Sequence, residues 1–242
     1  MEERDEGFLS EDDLLIAFNS AARILNLDGY FVKARFHNYA GLKSTVYADA
    51  NKIISARVSD GFRGASDEAA LGLALELLSK AFRRTVPSSA TRFVDSYDEA
   101  FDGQSAMRLH DSLRRTRGRR RKGGSKGRAF DLEQVLAKVL ADYPLTFNGL
   151  ERPFIHWSRE KSRQRLAFYD SAFNDIVVSR TFDLPTVPQY VLEYLVFHEL
   201  LHAKHDLQFK RGRKRVHHPA FKRDERRFAL FAEADEFLDR CT

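Results

Sequence analysis

Among 242 residues there is one cysteine, one tryptophan, two methionines and six prolines. A single thiol, Cys241, excludes an intramolecular disulfide and any cysteine-rich zinc ribbon. No apolar run approaches the roughly 18 residues that a membrane span requires, so no membrane partner is expected. The opening Met1-Glu2-Glu3-Arg4-Asp5-Glu6 is acidic and polar, unlike a secretory signal. These absences together predict a reducing, cytoplasmic setting. A large charge excess is missing too: 40 Lys and Arg stand against 35 Asp and Glu, a formal charge of +5. Apolar residues at 43% and aromatics at 12% suffice for a core and exclude wholesale disorder. The length allows one large domain or two small ones.

The +5 is unevenly distributed. Residues 114–128 hold nine basic side chains and no acid, so the remainder of the chain carries −4. This stretch also contains Gly118, Gly123, Gly124, Ser125 and Gly127. Glycine, serine and like charges cannot bury a core, which predicts an exposed linker over 114–129. It separates two halves, 8–113 and 130–242.

The halves have the same order of elements. A helical pattern begins near Asp13 and again near Asp131, each aspartate suited to an N-cap. Strand-like runs come after it at 30–36 and 153–157. Hairpin-like pairs are next, at 43–48 with 52–57 and at 165–169 with 175–180. Each half then has a long apolar helix, 67–82 and 187–204. The expected fold class is α+β, with two similar small αβ units of helix, three-stranded sheet and long helix. Such order predicts a diverged internal duplication.

The second long helix contains His198-Glu199-Leu200-Leu201-His202, an HExxH motif. Residues four apart share a helix face about 6 Å apart along the axis, so two neutral imidazoles can hold one Zn²⁺. Glu199 is then placed to accept a proton from an activated water. The surrounding Tyr190-Val191-Leu192-Glu193-Tyr194-Leu195-Val196-Phe197 is apolar, and polar groups inside such a helix are costly unless satisfied. His205 shares the face but lies about 10 Å from His198, too far to complete the set; a supporting or helix-end role fits it better. Downstream, HExxHxxGxxH is absent and there is no Glu-x-x-x-Asp. The chain instead continues to Val216-His217-His218-Pro219-Ala220-Phe221, opening a predicted helix from Lys222 to Leu238. Either histidine just before that turn is a candidate third ligand.

With His217 four residues before Phe221, the second half resembles the SprT-like (Spartan-like) zinc metalloproteases and their minigluzincin-type relatives. The resemblance covers residues 130–242. It implies a zincin-like domain, His217 rather than His218 as third zinc ligand, and hydrolysis of a protein or peptide substrate with Glu199 as general base. Tyr169, Tyr190, Tyr194 and Arg180 are candidates for steadying the oxyanion. By analogy, Ile155–Arg159 or Arg165–Tyr169 is the strand on which a substrate would pair.

In the first half, Leu75-Glu76-Leu77-Leu78-Ser79 stands where HExxH would fall, and His37 and His110 read as ordinary histidines. That half is expected to be a degenerate SprT-like copy without metal ligands. The basic segments 114–128 and 210–215 suit phosphate backbones, and SprT-like relatives act on DNA-attached proteins, so nucleic acid is a second expected partner. The rival reading is a non-proteolytic, zinc-stabilised module that binds a protein or nucleic acid.

Overall fold

A computed structural model describes residues 7–101, 103–162, 164–205, 208–210 and 213–240. Among them are eight α-helices and two three-stranded sheets, in a mixed α+β arrangement. The chain divides between Arg119 and Arg120 into two units, each with its own apolar core. No helix of the described residues is long and apolar enough to cross a membrane.

The first unit begins with α1 (Glu11–Ile24). Its N-cap is Ser10, three residues before the expected Asp13. Ser10 Oγ accepts the Asp13 N–H at 3.1 Å and the Asp13 carboxylate accepts the Ser10 N–H at 2.9 Å, a reciprocal cap. Strands β1 (Phe31–His37), β2 (Ser44–Ala48) and β3 (Ile53–Ser59) form a sheet of order β1-β3-β2, with β1 parallel and β2 antiparallel to β3. Ala34, Ile54, Ala56 and Val58 face inward by the two-residue alternation of strands, meeting Leu14, Phe18 and Ala21 of α1. Helix α2 (Asp67–Phe82), capped by Ser66, adds Leu73, Leu75 and Leu78. Helix α3 (Thr91–Ala100) crosses α2 at Gly72, where a Cβ would stand 1.9 Å from the Phe93 carbonyl oxygen. Helix α4 (Gly103–Arg117) ends on Arg117, which donates to both carboxylate oxygens of Asp60 at 2.6 and 3.0 Å.

The second unit has α5 (Leu132–Asp142), capped by Asp131 as expected, then β4 (Phe154–Trp157), β5 (Ala167–Asp170) and β6 (Asp175–Val178). The sheet order is β4-β6-β5, again with one parallel and one antiparallel pair. Helix α6 (Gln189–Lys204) packs Val191, Leu192, Leu195, Val196 and Leu200 into the core. Strands β7 (Gln208–Lys210) and β8 (Arg213–Arg215) pair with each other; of the basic cluster 210–215, Arg211 and Gly212 lie outside the described residues. Instead of one helix over 222–238 there are two, α7 (Pro219–Glu225) and α8 (Phe231–Asp239). Between them the chain turns so that Phe228 is buried against Tyr194 and Phe197, at 5.5 and 5.4 Å between ring centroids.

The two units agree in detail. Ser59 ends β3 and Ser179 directly follows β6; each donates its N–H to the loop before the antiparallel strand (Lys43 O, Leu166 O) and caps a 3-10 turn that buries Phe62 or Phe182. The long helices are both 16 residues, and their N-caps, Ser66 and Pro188, are 122 positions apart. At that offset every buried residue of α2 (Ala69, Ala70, Gly72, Leu73, Ala74, Leu75, Leu78) corresponds to a buried one of α6. The positions matching His198, Glu199 and His202 are therefore Glu76, Leu77 and Lys80, one residue later than the expected Leu75–Ser79. Glu76 and Lys80 pair with each other one helical turn apart.

Residues 114–129 are mostly exposed, but little of the stretch is a free linker. Residues up to Arg117 complete α4. From Arg120 the chain is bound to the second unit: Gly124 O accepts the Trp157 N–H at 3.0 Å, and the buried Asp183 carboxylate accepts the N–H groups of Arg128 and Ala129 at 2.7 and 2.9 Å. Glycines allow a chain this charged to lie flat on a sheet edge.

Gly72 provides a test of the first unit. Helix propensity alone favours Gly72→Ala by about 1 kcal/mol, whereas the clash with backbone at Phe93 costs about 1–3 kcal/mol. Gly72→Ala is expected to lower stability by denaturant titration, while Gly64→Ala, with nothing within 4 Å, stays neutral.

Candidate metal centre

Helix α6 carries His198 and His202 on one face, four residues apart. The chain returns through His217 just before α7. His218 has extended backbone as the N-cap of α7, and only one of the two neighbouring histidines joins the pair on α6. His218 is turned inward: it is 3% exposed, its Nδ1 accepts the Phe221 N–H at 3.4 Å as the N-cap of α7, and its ring lies 5.1 Å from that of His205. His217 is turned to the other two histidines. Nε2 of His202 lies 3.2 Å from Nε2 of His198 and 3.3 Å from Nε2 of His217. Three histidines, His198, His202 and His217, thus lie close enough to hold one metal ion.

The donor set suits a metal ion. Metal–nitrogen distances of about 2.0–2.1 Å in a tetrahedron place ligand nitrogens about 3.3–3.4 Å apart, close to the two separations at His202. Neutral imidazole nitrogens that close repel unless a cation or proton sits between them. Burial, with His198 and His217 alongside, pushes His202 down to about 3. Burial also pushes His217 down, with His198 adding to it. These imidazoles are therefore held neutral, the form that coordinates metal.

The groups that orient them were only partly legible in the sequence. Glu225 of α7 holds Nδ1 of His198 at 2.7 Å, which leaves Nε2 to face the other histidines. Tyr194, one turn before His198, donates its hydroxyl to the same carboxylate oxygen at 3.1 Å. Burial raises the Glu225 carboxyl, but the hydrogen bonds from His198 and Tyr194 outweigh it and hold it below the usual range. Burial and that carboxylate push the Tyr194 phenol well up. The sequence signal for Glu225 was its place four residues after Phe221, on the same helix face. Phe221 itself is fully buried beneath the site, its ring 4.8–5.2 Å from those of His198, His202 and His217.

Glu199 is 5% exposed and its Oε2 has no hydrogen-bond partner among the described residues. Burial pushes its carboxyl up to about 7, against the opposing pull of His198, the Tyr169 backbone N–H and Arg165. A buried carboxylate with an open oxygen beside a histidine cluster is equipped to take a proton.

His205 stands apart from the triad, as expected, with Nε2 3.0 Å from Asp224 Oδ2 at the end of α6. Three of the four oxyanion candidates are bonded elsewhere: Tyr194 to Glu225, Tyr169 Oη to Asn174 at 3.1 Å, and Arg180 Nε to Ser158 O at 2.9 Å. Tyr190 packs against the core at its edge. Of the two candidate strands, β5 is the one whose backbone meets Glu199, at Tyr169. Beside His217 opens a cavity of about 450 Å³ lined also by Pro219, Lys222, Arg223 and Arg226.

Comparison with protein-family models, curated proteins and solved structures finds no match to this chain, so the site is read from its own residues.

Two outcomes check the geometry by elemental analysis. His217→Ala should reduce bound metal per chain sharply, whereas His218→Ala should retain it and lose about 1 kcal/mol of stability with the helix cap. Glu225→Ala should weaken metal affinity about 10–100-fold by freeing the His198 ring.

Proposed function

We propose that the second unit is a zinc-dependent metallopeptidase with a zincin-like fold. The observation that carries this reading is the convergence of three imidazole nitrogens, all within 4.8 Å of one another, beside a buried carboxylate with an unused oxygen. His198, His202 and His217 would hold the ion and leave the fourth direction open. Zinc bound there would supply Lewis acidity toward a water and a peptide carbonyl. Glu199 accepts the water's proton and later delivers it to the departing amine. Glu225 and Tyr194 keep the His198 ring in one tautomer throughout. Phe221 keeps the floor of the site dry, which strengthens each of these interactions.

Substrate is a peptide or protein segment lying along β5, and the cations Lys222, Arg223 and Arg226 beside His217 favour acidic side chains on it. The first unit we read as a diverged copy of the same scaffold, since its sheet topology, capping serines and helix register repeat those of the second. Its Glu76–Lys80 ion pair occupies the places of the two helix histidines, and that copy serves packing or partner binding. Nucleic acid as a further partner of the basic segments is supported by their charge alone.

Glu199→Gln is the deciding variant. It should retain metal and stability but lower cleavage of an acidic unfolded polypeptide by about 10²–10⁴-fold. Full activity in that variant removes Glu199 from the mechanism. Failure of the metal-loaded wild type to cleave any unfolded polypeptide overturns the peptidase reading.

A further inference from the structure

The sheet of the second unit has its metal-centre helix on one face. Away from the triad lies a cavity of about 420 Å³, bounded by the segment Arg120–Ser125 and by Phe154, Ile155 and His156 of β4, with Glu133 at the rim. His156 is 6% exposed, and its Nε2 is buried without a hydrogen-bond partner among the described residues. An unmet buried polar nitrogen is costly, so something is needed to satisfy it.

The charges around the cavity show which kind of group would do so. Arg120 is already matched: its Nε and Nη2 grip the buried Asp175 carboxylate at 2.6–3.2 Å, and its guanidinium lies 3.9 Å over the Phe154 ring. Glu133 is matched by Arg152 at 2.8 Å. Arg121 lies 4.8 Å over the Phe168 ring, a contact that leaves its charge in place, and neither it nor Lys122 carries an ion pair among the described residues, so the cavity keeps two uncompensated positive charges. Gly123 brings this chain close to the imidazole: a Cβ there would stand 2.6 Å from His156 Cδ2 and 2.9 Å from Trp157 O. Only glycine permits that approach, and it sets the cationic residues directly beside the buried ring.

The geometry points to a binding site for a phosphate-bearing small molecule, held by Arg121, Lys122 and the Nε2–H of His156. Phosphate oxygens accept from both a cationic fork and a neutral imidazole N–H, and they are drawn to clustered uncompensated cations. Burial lowers the His156 pKa, with Arg120 and Arg121 adding to it against the pull of Asp175, which favours the neutral ring. The exposed ring of Phe154 lines the same cavity and offers an apolar wall to an organic body attached to the phosphate. This site shares no residue with the histidine triad, so it stands or falls apart from the peptidase reading.

The test is a titration of the full chain with inorganic phosphate and, separately, with adenosine monophosphate in low-chloride buffer, read on the ring ¹⁵N resonances of His156. Saturable shifts are expected with one or both probes. Equal affinities mean that phosphate alone is recognised. Tighter binding of the nucleotide, lost in Phe154→Ala, means that the organic body also docks. The double variant Arg121→Glu/Lys122→Glu should weaken binding at least tenfold while metal per chain is unchanged. No shift of His156 at tens of millimolar of either probe, or binding undiminished in the double variant, overturns the site.

Discussion

Helix α6 must pass through an apolar core while carrying polar groups that no core tolerates unmatched. Val191, Leu192, Leu195, Val196, Phe197 and Leu200 fix it in place, and the same burial strips water from His198, Glu199 and His202. Each of those groups then needs a partner supplied by another part of the chain. Glu225 meets His198, His217 meets His202, and the Tyr169 backbone meets Glu199. The break between α7 and α8 and the capping of α7 by His218 both serve this arrangement, since they aim Glu225 and His217 at the helix.

The first unit shows how the scaffold is used without that requirement. Its long helix has the same length, its seven buried positions all recur in α6, and a serine at the end of the central strand again caps the 3-10 turn. Where Tyr194 stands in the second unit there is Gly72, and α3 presses onto it. Where the histidines stand there is an ion pair, Glu76 with Lys80. That pair lies near the half-buried Tyr97, whose phenol is pushed up to about 12 by burial, then Glu76 and Asp98. A surface-type ion pair of this kind contributes little by itself. The covering of α2 by α3 and the opening of α6 toward α7 are alternative uses of one helix face.

The charged middle of the chain changes meaning once the fold is known. As sequence, nine cations among glycines describe a solvated linker. In the fold Arg117 closes on Asp60, Arg120 grips Asp175, and Gly124 bonds the edge of β4. Arg121 and Lys122 keep uncompensated charge beside His156, so a run that looks uniform divides into structural and available cations.

Periodicity and spacing alone determined much of this protein. The alternation of strands and the apolar run of the long helices predicted both sheets and both 16-residue helices, because those signals arise from local geometry. The HExxH spacing placed His198, Glu199 and His202 on one stretch of helix, with the two histidines on one face, because residues four apart on a helix are neighbours in any protein. The third histidine came from resemblance to a family, since His217 and His218 are equivalent until the cap of α7 fixes which one turns inward. Glu225 and Tyr194, the turn at Phe228, the one-residue shift of register between the units, and the buried His156 were decided only in three dimensions. Each depends on contacts between residues distant in the chain, whose partners are chosen by packing and by the need to match every buried polar group.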